Sequence, residues 1–393
     1  MKKLLGLLLV LTMGYPVSAD VLKNVDLKGE VQVIASDVHH NPNDLYNSGT
    51  NLRVFAGASF DLVEDVRANL LFGYTNTWGN ATNSEKGSNI QHYWDNVDLA
   101  EANIVLSNLF DCFELTIGRQ FYGDEDSAVM YFGPSHYNAE GNGWKALDAV
   151  KFNYSDDYKS FTMIAGKLLA EEPLATEGIL EGDVYGADFK LNLADNLQWQ
   201  VYGYNFHNVS YFDGTDVVAD DDQNYGFYGT KFVFNPEALT LAAEYARNFG
   251  GERLFKEHKD TGYFVKADAA LNLEAFTPRF AFVYTNGFDG LGNYTPGLLF
   301  GDLTDVLAQS MRLFNVGVDY NVGKWTFALD GFSFQEREGH HSATLEADLT
   351  AKYAHNEYVD LFAGIGYAKY GHAKTDFGQK DNTKGQLGIL VKF

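Results

Sequence analysis

The 393-residue chain sets 29 Lys and Arg against 53 Asp and Glu, a formal net charge of −24, which excludes nucleic acid as a partner because like charge repels it. With 24 Tyr, 30 Phe and 5 Trp it is far too aromatic for an acidic disordered protein. The one cysteine, Cys112, excludes an internal disulfide as a staple of the fold.

The chain opens Met1-Lys2-Lys3, runs through apolar Leu4 to Leu11, and reaches Val17-Ser18-Ala19 before Asp20. That order of basic, apolar and small residues predicts a secretory signal peptide over 1–19. The apolar run is too short for a membrane helix. Cleavage removes Lys2 and Lys3 and takes the formal charge to −26.

From Asp20 to Phe393 one unit recurs: about ten residues with apolar side chains at every second position, then a polar segment rich in Gly, Asn or Asp. The pattern predicts an all-β protein, a transmembrane antiparallel barrel occupying 20–393. Strands are expected at 25–36, 51–62, 65–78, 96–107, 112–121, 145–155, 158–168, 183–193, 196–208, 224–235, 238–249, 261–273, 275–287, 311–321, 323–335, 343–354, 357–370 and 383–393. The count is about eighteen, with sixteen as the alternative; an even number keeps both termini on the periplasmic side of an outer-membrane barrel. Joins such as 62–65, 156–157, 194–195 and 321–323 are short enough for periplasmic turns. Stretches at 37–50, 79–95, 122–144, 169–182, 209–223, 250–260, 288–310, 336–342 and 371–382 are the expected outer loops. Tyr74, Trp78, Tyr154, Trp199, Tyr204, Tyr284, Trp325, Tyr353, Tyr367 and Phe393 are the expected aromatic girdles.

Turning the apolar phase toward lipid leaves Arg53, Asp61, Arg67, Asp188, Lys190, Lys266, Asp268, Arg279, Asp330, Glu346, Asp348 and Lys352 on the lumen phase, as a substrate path of mixed sign. The bland reading is that they only hydrate the wall and pair across it. Arg119 shares a phase with Phe113, Leu115 and Ile117, so it sits at the rim or follows a bulge that turns it inward. Segment 122–144 mixes acids, aromatics and glycines and either folds into the lumen as a constriction or stays a surface loop. The acidic stretch 213–222 has oxygen ligands for Ca²⁺ but no EF-hand pattern, and reads as a solvated loop. No GxSxG, HExxH or P-loop pattern is present, and the expectation is a non-enzymatic chain without cofactor or metal. A rim pair such as Ser342 with His341 is the one hydrolase-like arrangement; His39-His40 and His340-His341 fall in expected loops without a spaced carboxylate.

The segment DLAEANIVLSNLFDCFELTIGRQ (98–120), ending in Arg119 and Gln120, resembles the strand pair of alginate-export-type outer-membrane porins that closes on "iGRQ". ALDAVKFNY (146–154), with Asp148, is similar to that family's next strand; LEADLTAKY (345–353) and FAGIGY (362–367) resemble strands near its end. The resemblance implies an eighteen-stranded monomeric pore. An alginate exporter would be expected to hold an arginine-lined path, from which this acid-rich chain departs.

The first functional expectation is a pore through which small polar solutes pass passively. Export of an exopolysaccharide such as alginate, with a periplasmic scaffold, and an adhesin or structural barrel with a plugged lumen are the alternatives. Expected partners are outer-membrane lipid and the barrel-insertion machinery, which would read the terminal alternation ending in Lys392-Phe393.

Overall fold

A computed structural model describes residues 23–40, 45–78, 97–125, 127, 129–134, 144–169, 178–212, 217–219, 225–250, 262–288, 311–336, 343–369 and 382–393. The expected signal peptide, the side chains of the 213–222 stretch and of His39-His40, and the Ser342–His341 pair lie outside the described residues.

Eighteen strands form the wall: β1 (Lys23–His40), β2 (Leu45–Val63), β3 (Val66–Trp78), β4 (Val97–Leu109), β5 (Phe113–Gln120), β6 (Leu147–Ser155), β7 (Lys159–Leu169), β8 (Gly178–Ala194), β9 (Leu197–Phe212), β10 (Tyr225–Phe234), β11 (Leu239–Gly250), β12 (Tyr263–Leu271), β13 (Phe276–Asn286), β14 (Met311–Val322), β15 (Trp325–Glu336), β16 (Thr344–Ala354), β17 (Val359–Lys369) and β18 (Asn382–Lys392). Each pairs antiparallel with its neighbours in sequence. β18 then returns to β1, in register from Glu30 opposite Lys392 to His40 opposite Asn382, so the sheet closes. Closure is what a membrane demands, because hydrocarbon offers no partner for the N–H and C=O groups of an open edge. The count is eighteen and not sixteen.

Short connections gather at one end, among them Glu64-Asp65, 156–158, 195–196 and 323–324. In the turn after β6, Asp156 accepts from the amides of Tyr158 and Lys159 (both 2.9 Å) and from the Tyr154 hydroxyl (2.6 Å), which hold its carboxyl below the ordinary range. The chain ends meet here too: Gly29 N donates to Phe393 O (2.7 Å) and Phe393 N to Gly29 O (3.0 Å). The other end carries the long connections.

Outward residues supply the lipid belt. Leu345, Leu349, Val316, Leu329, Ile365 and Leu387 are each more than half exposed. Tyr154, Trp199, Trp325 and Tyr353 lie outward near the turn end and pack ring to ring with cross-strand neighbours, Trp325 with Tyr353 at 4.8 Å and Trp199 with Phe232 at 6.1 Å. Tyr204 corrects the girdle reading: it points into the barrel and is buried.

Candidate functional site

Inside the wall, every lumen-phase charge read from the sequence faces inward, from the turn end up to Glu346 and Asp348 near the loop end of β16, and most are paired. Arg53 donates through Nε and Nη2 to Glu30 (3.2 and 2.9 Å). Arg67 bonds Asp26, and Asp61 at 3.1 Å. Lys266 meets Asp268 at 3.1 Å, and Lys352 meets Asp360 at 2.8 Å. Arg279 bridges Asp319 (2.7 Å) and Asp330 (3.1 Å), and Asn315 adds a bond to Asp330 (3.2 Å). Glu346 and Asp348 sit side by side on the inner face of β16 and are almost wholly buried. Gln200 donates to Asp188. Of the partners missed in sequence, Asp26, Asp319 and Asp360 lie near strand ends, where alternation is weakest, whereas Glu30 lies well inside β1.

Toward the loop end the inner face turns apolar. Val184, Tyr202, Tyr204, Phe206, Tyr225, Phe227, Phe264, Val283, Leu313, Phe332 and Phe334 form one buried cluster that lines the lumen from β8 to β15. Such a surface needs a covering, and the segment after β5 supplies it. Its described residues fold into the barrel, with Tyr122-Gly123 paired to Tyr131-Phe132 as a short ladder. Val129, Met130 and Phe132 enter the cluster. Phe121 and Trp144, at the two ends of the segment, pack on Phe55 from the opposite side, at 6.1 and 5.3 Å between ring centres. The hydroxyls of Tyr122 and Tyr204 lie 2.9 Å apart. Gly123, with φ +92°, makes the turn that an L side chain would resist.

Between this inward segment and the wall lies a cavity of about 430 Å³. Its charges are Lys151, Lys190 and Lys231 against Asp124, Asp188 and Glu244. Lys190 lies 3.8 Å from Asp124 on the segment, and the Tyr202 hydroxyl donates to Glu244 at 2.6 Å. Lys190, Gln200, Lys231, Glu244 and Lys266 follow one another across β8 to β12 in a single cross-strand line. Lys151, Lys231 and Glu244 were not read as lumen residues. Their strands carry apolar residues on both faces, which hides the phase.

Arg119 and Asp148 are not in the lumen. β5 pairs with β6 without a bulge, so Arg119 stays on the outward phase with Ile117, directly opposite Asp148. It donates through Nε and Nη2 to the two Asp148 oxygens (2.8 and 3.3 Å) and through Nη1 to Leu99 O (3.2 Å). Gln120 points inward, donating to the carbonyls of Gly118 and Ala149 (both 3.1 Å).

No family model and no curated protein sequence matches the chain. Solved structures do. The Pseudomonas aeruginosa OpdO structure superposes with a TM-score of 0.64 at 10% identity, over 95% of this chain and 98% of that one. Acinetobacter baumannii OccAB4 gives 0.63 at 10% identity over 96% and 100%, and Pseudomonas aeruginosa OprD gives 0.58 at 12% over 94% and 95%. These are substrate-specific outer-membrane porins with eighteen-stranded barrels, and they overturn the alginate-export resemblance. The segments that carried it encode a strand, a turn and a strand, which any barrel of this size repeats, and its Arg119 and Asp148 form an ion pair on the outer wall. The chain has the fold of the eighteen-stranded outer-membrane porins.

Proposed function

We propose that the chain is an outer-membrane pore for passive passage of small polar solutes, exported by its 1–19 leader, with the short turns in the periplasm. The observation that carries this reading is the closed barrel whose lumen combines a lining of paired charges with an inward-folded segment. Where the wall carries paired charges it is wet and offers hydrogen bonds to a solute. The inward segment narrows the passage to a cavity edged by three cations and three carboxylates. Opposed signs set up a transverse field that orients dipolar and zwitterionic solutes without trapping an ion of either sign. Arg53, Arg67, Asp188, Lys190, Lys266, Asp268, Arg279, Asp330, Glu346, Asp348 and Lys352 form the proposed path, and Lys151, Lys231 and Glu244 join it.

Because positive side chains of the wall are neutralised by neighbours, the acidic remainder of the chain sets the ion preference, a mild one for cations. Liposome swelling with sugars, amino acids and uronates tests the proposal. Neutral sugars and amino acids should enter faster than uronate polymers, whereas impermeable liposomes holding folded protein would leave an adhesin or structural barrel. Insertion is proposed to depend on the exposed terminal Phe393. Deleting it should lower the outer-membrane yield, and normal assembly of the truncated chain would remove that role.

A further inference from the structure

The outer surface of the barrel is not uniformly apolar. Arg119, Asp148, Lys167, Asp183 and His207 stand opposite one another on the adjacent strands β5 to β9, forming one unbroken cross-strand line. All five share the outward phase of their strands. Charges alternate along the line, with Arg119 on Asp148 at 2.8 Å and Lys167 near Asp183 at 3.7 Å. The middle two are the most open, with side-chain exposures of 41% for Asp148 and 69% for Lys167.

The apolar belt beneath this line is short. On β6 the outward residues between Asp148 and Asp156 are Val150, Phe152 and Tyr154; on β7, between Lys159 and Lys167, they are Phe161, Met163 and Ala165. Eight residue steps span about 27 Å along a strand and roughly 20 Å of height at a tilt near 40°, less than the apolar band of about 25 Å that a barrel presents. Across the barrel on β16, Leu345, Ala347, Leu349, Ala351 and Tyr353 fill the same number of steps without a charge. A wall too short for the bilayer is accommodated by thinning the lipid or by associating with another protein.

We propose that the outer face of β5 to β9 is a lateral contact with a second copy of this chain. Two copies inserted in the same sense are related by a two-fold axis along the membrane normal, and the contact is then self-complementary. An axis between β6 and β7 sets Asp148 of one copy against Lys167 of the other at two symmetric meetings; because the line climbs with the strand tilt, these central two are the charges that come close to one height. An anionic lipid headgroup is the rival occupant, but two cations and two carboxylates give this line no net positive field to hold one. The short belt is hidden in the contact and faces protein instead of lipid.

Charge-swapped copies test the contact. Asp148→Lys alone, or Lys167→Asp alone, sets like charges against each other at both meetings of a homodimer; one of each restores attraction at both. Val150→Cys, placed beside the line in a Cys112→Ser background, is cross-linked in native membranes with a short bis-maleimide. A dimer band is expected for this parent, lost in either charge variant alone, and regained when the two variants are co-expressed with different tags. Heat-modifiable migration confirms that each variant is a folded barrel. Leu349→Cys, on the other wall, should give no dimer. A monomer from Val150→Cys in folded protein, a dimer indifferent to the swaps, or phosphate-bearing lipid that co-purifies with the parent and is lost in Lys167→Asp would overturn the proposal.

Discussion

Toward the turn end the lumen is lined by Arg67 with Asp61, Lys352 with Asp360, and Arg279 with Asp319 and Asp330; toward the loop end it is lined by Phe206, Phe227, Phe264, Leu313 and Phe334. β13 to β15 carry both linings, Arg279, Asp319 and Asp330 below and Val283, Leu313 and Phe334 above, so the difference lies in what each region faces. Paired charges face water and any solute in transit. Aromatic residues face the inward segment, which they hold as a domain core holds a helix. A barrel can therefore carry a hydrophobic core inside its lumen, into which Val129, Met130 and Phe132 of the inward segment are packed.

Removing the constriction should give the largest effect. Replacing 125–132 by a short Gly-Ser connection uncovers the aromatic half while keeping Asp124 and the paired charges of the wall, and single-channel conductance should rise several-fold. Unchanged conductance would mean that the segment does not narrow the path.

Phe227→Ala should break the aromatic half from within. The residue is fully buried and in contact with Phe206 and Tyr204, so its truncation costs about 3–5 kcal/mol, seen as an earlier heat-modifiable transition and noisier open steps. An unaltered transition would show that the cluster adds no stability.

The charged half should respond by burial. Arg279→Ala strands the nearly buried Asp330 and costs about 1–3 kcal/mol while strengthening cation preference. Arg67→Ala removes a more exposed pair and costs under about 1 kcal/mol. Equal losses measured by urea titration would contradict the distinction.

Tyr122→Phe, which removes one hydroxyl contact between segment and wall, is the mildest change, about 0.5–1.5 kcal/mol. Conductance should keep its mean and gain only in fluctuation, and a conductance as large as that of the segment deletion would make this contact the main latch.

The wall was legible because lipid imposes alternation. All eighteen strands fall where the period-two pattern places them, and Asp330, Glu346 and Asp348 are inward as their phase requires. Strand lengths were not. β2 begins at Leu45 and not at 51, and β8 begins at Gly178 and not at 183, because a strand that has left the hydrocarbon no longer needs one greasy face. On β9 the pattern inverts: Trp199 and Val201 face out below, then Tyr202, Tyr204 and Phe206 face in while Asn205 and His207 face out. That inversion is why Tyr204 reads as a girdle residue in sequence, and it reflects a second apolar partner that no local pattern announces. The inward segment announced itself only by its mixture of acids, aromatics and glycines over 122–144, which left a surface loop open; Val129, Met130 and Phe132 are what pack it inside. Arg119 could be read from its phase alone, but its partner Asp148 lies across a long connection.

Planar-bilayer recording of the refolded protein, with reversal potentials in a salt gradient, tests the central claim most directly. Discrete open steps with a small cation preference, and that preference enlarged by Arg279→Ala, are the expected result. A folded but silent barrel would contradict the pore, and strong anion selectivity abolished by Arg67→Ala or Arg279→Ala would contradict a path of balanced, paired charges.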